Sequence, residues 1–313
     1  QVIINERRPL IEDIDSIPMP TYDLFPMQYY RLLRMPHTTN RDFVAWMLGG
    51  RGCPFTCNFC FRLVPGLRQR SSEGILAEVG LLQRDYGITH VSFSDELLMS
   101  SVARTAELCE AFLRSSLRFT WDCNGRLNYA RTDVLNLMKR AGCIFINYGI
   151  ESMDDQALRN MHKSLTTDII IRGVEATLAV GITPGLNILW GNIGENRKTL
   201  EAGVAFLLKY DDGAQLRTIR PVTPYPGSPL YHYAIAQGLL RDCADFYENK
   251  HVNSDLLSVN FTDLSDAEFH RALYEANTRL IQNYYQKQTE ATITQARDLY
   301  LGYNTEFRGF RQT

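Results

Sequence analysis

The run Phe43-Val-Ala-Trp-Met-Leu-Gly-Gly-Arg-Gly-Cys53-Pro-Phe-Thr-Cys57-Asn-Phe-Cys60 joins an apolar segment to a glycine-rich loop that holds three cysteines. Its first part, residues 43–50, is a short apolar stretch that ends in glycine, and this pattern predicts a buried strand. Similar apolar runs recur down the chain, separated by amphipathic helical patterns. This alternation is what decides the fold class.

The predicted elements follow one another in a regular order: strand 43–50, helix 72–86, strand 90–94, helix 101–115, strand 118–123, helix 132–141, strand 143–150, helix 154–180, strand 185–190, helix 197–210 and strand 216–221. Strands that alternate with helices form parallel βαβ units. Six strands are fewer than the eight of a closed barrel. The sequence therefore predicts an α/β fold with a partial (β/α)6 TIM-like barrel, whose reactive groups gather at the carboxyl ends of the strands.

Three segments are predicted along the chain. Residues 1–40 are rich in proline and aromatic residues and should form an N-terminal arm with short helical pieces. Residues 41–235 should form the partial barrel, and residues 236–313 a C-terminal helical extension. In that extension, Ser265 and Glu268 form a candidate capping box before a long helical pattern.

The composition is that of an ordinary globular chain. Lys and Arg total 33 against 35 Asp and Glu, so nucleic acid and acidic membranes are not favoured partners. No apolar run reaches the roughly 18 residues of a membrane-spanning helix. The seven cysteines are an odd number and mostly scattered, which favours a reducing, cytoplasmic setting. Because the chain opens with Gln1 rather than Met, we expect it to be processed, trimmed or a fragment.

Cys53, Cys57 and Cys60 are the central chemical signal. Three thiolates on one short loop can bind three irons of a [4Fe–4S] cluster and leave the fourth iron without a protein ligand. An open metal position is what catalysis needs. The alternative is a zinc site, but zinc usually takes four protein ligands, and the nearby sequence offers no fourth. A disulfide would leave one of the three cysteines over.

The spacing Cys-x3-Cys-x-aromatic-Cys, with Phe59 in the aromatic position, resembles that of the radical S-adenosylmethionine (SAM) superfamily. The resemblance covers about residues 41–235. It implies that the amino and carboxylate groups of SAM chelate the unique iron of the cluster. One electron then splits a C–S bond of SAM, which gives methionine and a 5′-deoxyadenosyl radical. The resemblance also places Phe59 among the expected SAM-binding residues.

The second and third strands end in polar residues to which the resemblance gives roles in SAM binding. Asp95 and Glu96 stand where the family often has Gly-Gly-Glu, and a carboxylate there could accept hydrogen bonds from the SAM ammonium. The alternative for Asp95 is capping of a helix N-terminus. Asn124 and Arg126 follow the third strand, and the guanidinium of Arg126 could clamp the SAM carboxylate or form a surface ion pair. Cys123, just before them, is predicted to be buried and inert.

The next two strand ends complete the expected SAM contacts. The segment Gly-Ile-Glu151-Ser152 resembles one in which the family's glutamate approaches SAM, so Glu151 is predicted to accept hydrogen bonds from the ribose hydroxyls. A capping box from Ser152 to Asp155 is compatible with this role. Gly191, in a Gly-Asn-Ile-Gly-Glu turn, either lets the backbone approach the adenine or only makes the turn.

The arm segment Arg7–Pro20 resembles the connector that joins a cobalamin domain to the barrel in cobalamin-binding radical SAM enzymes. This resemblance points to cobalamin as a further cofactor and to methyl transfer to carbon. The sequence contains no Asp-x-His-x-x-Gly motif for a lower cobalamin ligand, so cobalamin-free radical rearrangement, elimination, cyclisation or dehydrogenation stays open. A non-catalytic Fe–S or zinc protein for electron transfer or binding is the alternative of another class.

The expected partners are a small-molecule substrate and a low-potential electron donor such as flavodoxin or ferredoxin. The six histidines are scattered without the spacing of metal ligands. His90, at a strand start, is therefore predicted to be a core residue with satisfied hydrogen bonds.

Overall fold

The structure is a computed structural model that describes residues 3, 5, 6, 8–33, 35, 37–39, 41–62, 66–307 and 310. Gln1, with which the chain opens, lies outside the described residues. Arg7, with which the expected connector begins, lies outside them as well. The strands are β1 (Val44–Met47), β2 (Gly50–Gly52), β3 (Leu67–Gln69), β4 (His90–Phe93), β5 (Thr120–Gly125), β6 (Cys143–Glu151), β7 (Thr183–Trp190) and β8 (Arg220–Pro221). The α-helices are α1 (Met27–Tyr30), α2 (Ser72–Tyr86), α3 (Val102–Arg114), α4 (Thr132–Arg140), α5 (Asp155–Asn160), α6 (Thr167–Ala179), α7 (Arg197–Tyr210), α8 (Pro229–Ala236), α9 (Cys243–Asp245) and α10 (Asp266–Tyr300). Short 3₁₀ helices span Ile14–Ser16, Tyr22–Leu24 and Leu127–Tyr129, and a π-helix spans Phe246–Lys250.

Six strands form one sheet in the order β1-β4-β5-β6-β7-β8. The pairs β1–β4, β4–β5, β5–β6 and β7–β8 are parallel. Within this sheet the strands lie side by side in the order in which they occur along the chain. At least one helix lies in the chain between each strand and the next. The predicted α/β class and partial (β/α)6 TIM-like barrel are therefore confirmed. The antiparallel pair β2–β3 was not predicted.

The helical patterns were reliable except in one place. The predicted helices 72–86 and 197–210 coincide with α2 and α7. The single helix predicted over 154–180 is wrong, because α5 and α6 are separated by a non-helical turn. In that turn His162 and Ser164 each have φ near 55°. A right-handed helix cannot continue through left-handed residues, so the helix must end there.

The last strand is shorter than the predicted 216–221, and at Ile219 a side chain takes the place of the ladder hydrogen bonds. Asn277 of α10 donates a hydrogen bond from Nδ2 to the carbonyl of Ile219 at 2.9 Å. The backbone N–H of Ile219 donates to Oδ1 of the same side chain at 2.8 Å. Both backbone groups are thus satisfied by a helix residue.

The N-terminal arm contains the short helical pieces that its sequence predicts, and polar contacts attach it to α2. The Asp15 carboxylate accepts a hydrogen bond from the backbone N–H of Ser71, the residue that caps α2, at 2.6 Å. The hydroxyl of Tyr22 donates to the buried carboxylate of Glu78 on α2. These contacts attach the arm to α2 at its N-cap and again about two turns further along the helix.

The chain divides into two compact units. The first comprises Gln1–Gly149 and Leu165–Gly185, and an edge-to-face pair of Phe93 and Trp121, with ring centroids 5.9 Å apart, lies in its core. The second comprises Ile150–Ser164 and Leu186–Thr313, and its core contains stacked rings of Trp190 and Phe269 at 4.2 Å. The predicted divisions at residues 40 and 235 stay predictions.

The helix α10 dominates the second unit. Its capping box is confirmed: the Ser265 hydroxyl accepts from the backbone N–H of Glu268, whose side chain accepts from the backbone N–H of Ser265. Its buried residues recur at helical spacing and form one face: Phe269, Ala272, Leu273, Ala276 and Leu280. Among the described residues, none of the helices combines the length and the apolar character that crossing a membrane requires.

Candidate functional site

The three clustered cysteines lie on the loop between β2 and β3. Cys57 is buried, Cys53 is partly buried and Cys60 is exposed, and each is present as a thiol outside any disulfide. The backbone N–H of Cys60 donates to the carbonyl of Cys57 at 3.3 Å, which turns the chain back on itself. At the base of the loop, Gly52 has φ of 88°, and a Cβ there would lie 2.3 Å from the carbonyl oxygen of Gly66. The loop can therefore close only with glycine at this position.

Arg126 packs against this loop. Its guanidinium carbon lies 3.5 Å from the centroid of the Phe55 ring, which stands between the first two cysteines, and its Nε faces the side-chain oxygen of Asn128 at 3.3 Å. Arg126 is buried, so it does not lie at the surface, as the ion-pair alternative assumed. Burial raises the pKa of the Cys53 thiol, and the nearby charge of Arg126 opposes that rise. The role of Arg126 as a clamp on the SAM carboxylate stays a prediction. Phe59 lies on the cysteine loop and is partly buried, and its contact with SAM also stays a prediction.

Asp95 holds the chain where it enters the cysteine-bearing segment. Its carboxylate accepts a hydrogen bond from the backbone N–H of Gly49 at 2.8 Å, and burial raises its pKa to about 7. The helix-capping alternative is wrong, because Ser101 caps α3 by accepting from the backbone N–H of Arg104. The neighbouring Glu96 is exposed. Glu96 is therefore the better placed of the two carboxylates to meet a ligand from solvent.

Asn124 is held between two neighbours at the end of β5. Its Nδ2 donates to the carbonyl of Asp95 at 2.7 Å, and its Oδ1 accepts from Nδ2 of Asn147 at 2.9 Å. A Cβ on Gly185 would lie 2.4 Å from the Asn147 side-chain oxygen, so the backbone of β7 passes directly over this amide. Cys123 is buried as predicted, and a hydrogen bond with the Cys143 thiol together with burial raises its pKa.

Glu151 is the last residue of β6 and forms a buried ion pair that sequence reasoning missed. Nζ of Lys163 donates to Oε1 of Glu151 at 2.7 Å, and the side chains are only 8% and 9% exposed. Glu151 has φ of 69°, and the residues on either side of Lys163, His162 and Ser164, are also left-handed. Such unfavourable backbone is retained when surrounding contacts enforce it, often at functional sites. The sequence carries no local signal for this pair, because Lys163 stands in the polar run His162-Lys163-Ser164 and looks like a solvent-exposed lysine.

Ser152 does not form the predicted capping box. Its hydroxyl donates instead to Oε1 of Glu195 at 2.9 Å, and α5 is capped by Asp154. The other oxygen of Glu195 accepts from the backbone N–H groups of Gly191 and Asn192 at 2.9 and 3.0 Å. Burial raises the pKa of Glu195 to about 7, and these hydrogen bonds oppose the rise. Glu195 thus holds the turn after β7.

The need for glycine at position 191 has a structural reason. Gly191 has φ of 93°, and a Cβ there would lie 2.6 Å from the ring of Phe269. The turn and the packing of α10 therefore explain this glycine without any ligand. Its contact with the adenine of SAM stays a prediction.

Comparison with known proteins agrees with this geometry. Residues 47–207 match the family model described as the Radical SAM superfamily. An uncharacterized methyltransferase of Pyrococcus horikoshii is 34% identical over 237 residues, which are 74% of this chain and 50% of that protein. The anaerobic magnesium-protoporphyrin IX monomethyl ester cyclase of Rubrivivax gelatinosus is 25% identical over 235 residues, 74% of this chain and 41% of that protein.

Among solved structures, the radical SAM methyltransferase TsrM of Kitasatospora setae, with cobalamin and a [4Fe–4S] cluster bound, superposes with a TM-score of 0.59 at 19% identity. The match covers 79% of this chain and 48% of that one, and it shows a shared fold. The chain thus covers half or less of the length of each of these relatives.

A parallel α/β sheet of a partial barrel, with a Cys-x3-Cys-x2-Cys loop after its first strand, is the arrangement of a radical SAM domain. The chain belongs to the radical SAM superfamily. The cofactors of that superfamily are a [4Fe–4S] cluster and SAM.

Proposed function

We propose that this chain binds a [4Fe–4S] cluster through Cys53, Cys57 and Cys60 and cleaves SAM reductively in order to modify an organic substrate at carbon. The observation that carries the proposal is the loop of three thiols between β2 and β3, which follows the first strand of a radical SAM barrel. When bound, the cluster and SAM supply the one-electron chemistry that yields methionine and a 5′-deoxyadenosyl radical. The chain itself supplies binding, orientation and shielding.

The cysteine loop suits such a cluster in its chemistry and its support. Thiolates are the ligands that iron–sulfur clusters take, and three of them leave one iron open for SAM. The β2–β3 pair holds the two ends of the loop, and the Arg126 guanidinium packs on the Phe55 ring between the first two cysteines. A loop fixed in this way can present its thiols in a set arrangement, which lowers the entropy lost when the cluster binds.

The SAM contacts are proposed for polar residues at strand ends. Glu96 is exposed and can accept hydrogen bonds from an ammonium group, and Arg126 carries the positive charge that a carboxylate needs. The ion pair with Lys163 holds the Glu151 carboxylate in one orientation, so that its other oxygen can accept from ribose hydroxyls. Asn124 is fixed by its neighbours and is proposed to line the same ligand.

The reaction that we favour is methyl transfer to carbon with cobalamin as a further cofactor. A named methyltransferase is among the similar proteins, and the arm resembles the connector of cobalamin-binding members. The second candidate is a cobalamin-free radical reaction such as cyclisation, which the similarity to a named cyclase favours. Either reaction would use a small-molecule substrate and a low-potential electron donor such as flavodoxin or ferredoxin. The seven cysteines are all thiols, which suits a reducing compartment such as the cytoplasm.

The first test is SAM cleavage by the reconstituted chain. The cluster is rebuilt anaerobically, dithionite and SAM are added, and the products are separated by chromatography. We expect 5′-deoxyadenosine and methionine from the native chain, none from Cys57→Ala, and native amounts from Cys243→Ala, which alters a cysteine outside the loop. Absence of deoxyadenosine from native protein with an intact cluster would contradict the proposal and favour a non-catalytic Fe–S protein.

The second test separates the two reactions. SAM with a labelled methyl group is incubated with the reconstituted chain and reduced cobalamin. Methyl transfer predicts labelled methylcobalamin in excess of a control without protein. Deoxyadenosine formation without labelled methylcobalamin would favour the cobalamin-free candidate.

A further inference from the structure

Two histidines and an aspartate meet inside the first unit, away from the cysteine loop. Nε2 of His90, the first residue of β4, lies 2.8 Å from Oδ2 of Asp122 on β5. Nε2 of His37, which belongs to the N-terminal arm, lies 3.2 Å from the same oxygen. All three side chains are less than a tenth exposed, and their ligand atoms lie within 4.8 Å of one another. We propose that His37, His90 and Asp122 bind a divalent transition-metal ion.

Each of these groups is oriented by a second contact, as metal ligands usually are. The other oxygen of Asp122 accepts from the hydroxyl of Ser92 at 2.9 Å. The other nitrogen of His90, Nδ1, lies 2.8 Å from the hydroxyl oxygen of Thr120. The His37 ring stacks on Phe145 with 4.3 Å between centroids and 5° between planes. His37 Nδ1 has no hydrogen-bond partner among the described residues, so Nε2 is the nitrogen through which this ring makes its polar contact.

The spacing of the three atoms suits coordination. Bonds of about 2.0 Å in a tetrahedral site put neighbouring ligand atoms about 3.3 Å apart. The His37–Asp122 separation of 3.2 Å is close to that edge length, the His90–Asp122 separation of 2.8 Å is shorter by about half an ångström, and the two nitrogens lie within 4.8 Å of each other, so small movements would complete the geometry. Two imidazoles and one carboxylate form a ligand set typical of Zn²⁺ and Fe²⁺, with a further position left for water. The same atoms can also form hydrogen bonds without a metal, so the experiment must separate these states.

The position of the site indicates what the metal would do. His90 pairs in register with Val44, the first residue of β1, and with Thr120, the first residue of β5, so the site lies at the amino ends of the strands. The cysteine loop follows the carboxyl end of β1, and at about 3.3 Å per residue Arg126 lies about 13 Å along the chain from Asp122. The site is therefore separate from the proposed catalytic centre. A metal there would fasten the N-terminal arm, through His37, to β4 and β5.

Zinc binding by the cluster-loaded chain tests this proposal. The reconstituted protein is equilibrated with zinc chloride and desalted, and zinc and iron are measured by mass spectrometry. We expect one zinc per native chain in addition to the iron of the cluster. Retained iron in each variant shows that the first unit is folded. His37→Gln should lose at least nine-tenths of the zinc, and Thr120→Val, which removes only the orienting hydroxyl, should weaken zinc affinity by about 10- to 100-fold.

His251→Gln is the matched control. His251 also has an unpartnered Nδ1 among the described residues, and its ring also stacks on a phenylalanine, Phe246, at 5.0 Å. It should keep native zinc. A native chain that retains no zinc would overturn the proposal, as would equal zinc retention in His37→Gln. If His37→Gln loses its iron as well, Thr120→Val decides, and unchanged zinc affinity in that variant would overturn the proposal.

Discussion

The buried ion pair of Glu151 and Lys163 makes a quantitative prediction about stability and SAM binding. The two side chains are 2.7 Å apart and less than a tenth exposed. Removing one partner of such a pair takes from the other charge its oppositely charged neighbour, which costs about 3–5 kcal/mol at a buried site. Glu151→Gln and Lys163→Met should therefore each lower the free energy of unfolding by about that amount. The double variant removes both charges, so it should be more stable than either single variant.

Thermal and urea unfolding of the cluster-loaded chain measure this pattern as a double-mutant cycle. The matched control is the pair Asp168 and Arg172, which has a similar separation of 2.6 Å but lies about 70% exposed on α6. Asp168→Asn and Arg172→Met should leave the unfolding midpoint nearly unchanged, because water solvates the remaining charge. If the losses of the two buried single variants simply add in the double variant, the ion pair is not what stabilises this region.

The same double variant tests the proposed role of Glu151 in SAM binding. Hydrogen bonds to a charged group contribute about 1.5–3 kcal/mol, so loss of the carboxylate should weaken SAM binding by at least about tenfold. Lys163→Met alone keeps the carboxylate and should affect SAM binding less. Calorimetric titration of folded protein gives both affinities. Native SAM affinity in a folded double variant would remove Glu151 from the binding site.

Three further outcomes are expected. Cys60→Ala should lose the iron of the cluster and the absorption near roughly 400 nm that Fe–S thiolates give. Cys243→Ala, which also alters an exposed cysteine, should keep both, and equal loss in the two variants would contradict the ligand assignment. Gly191→Ala should lower the melting temperature more than Gly238→Ala, because both glycines have positive φ but only the first would bring its Cβ against an aromatic ring; equal effects would show that the ring adjusts. Because burial raises the pKa of Glu195 from 4.5 to about 7, the native chain should lose stability relative to Glu195→Gln as the pH rises from 4.5 to about 7, where the unfolded chain has released the proton that the folded chain still holds. Urea unfolding at several pH values measures that difference, and a constant difference would contradict the raised pKa.

Much of the fold could be predicted from the sequence, because the patterns that indicate helices and strands lie within short segments. A helix repeats its buried positions every three or four residues and a strand is a short apolar run, so the order of strands and helices follows from spacing alone. The cysteine loop was equally visible, because the three thiols stand within eight residues of one another. The capping box of α10 joins residues three apart, Ser265 and Glu268, and was predicted correctly.

Predictions from local spacing were wrong where a polar residue had two possible hydrogen-bond partners. Ser152 could cap the next helix or reach another part of the chain, and its hydroxyl bonds Glu195, 43 residues away. Asp95 could cap α3, yet it accepts a hydrogen bond from Gly49, 46 residues earlier. Sequence patterns describe what each segment can do, and packing decides which of the available partners is close enough to bond.

The sequence by itself determined the class of this protein: the alternation of strands and helices and the cysteine spacing are properties of short segments. Only the tertiary structure decided the polar contacts inside it. His37 and Asp122 are 85 residues apart in sequence and meet because the arm folds back against β4 and β5. The residues before and after Lys163 have left-handed backbone and interrupt the helix, and Lys163 in this turn reaches Glu151. Contacts of this kind depend on where the backbone turns and what it packs against, and neither is encoded in the spacing of residues along one segment.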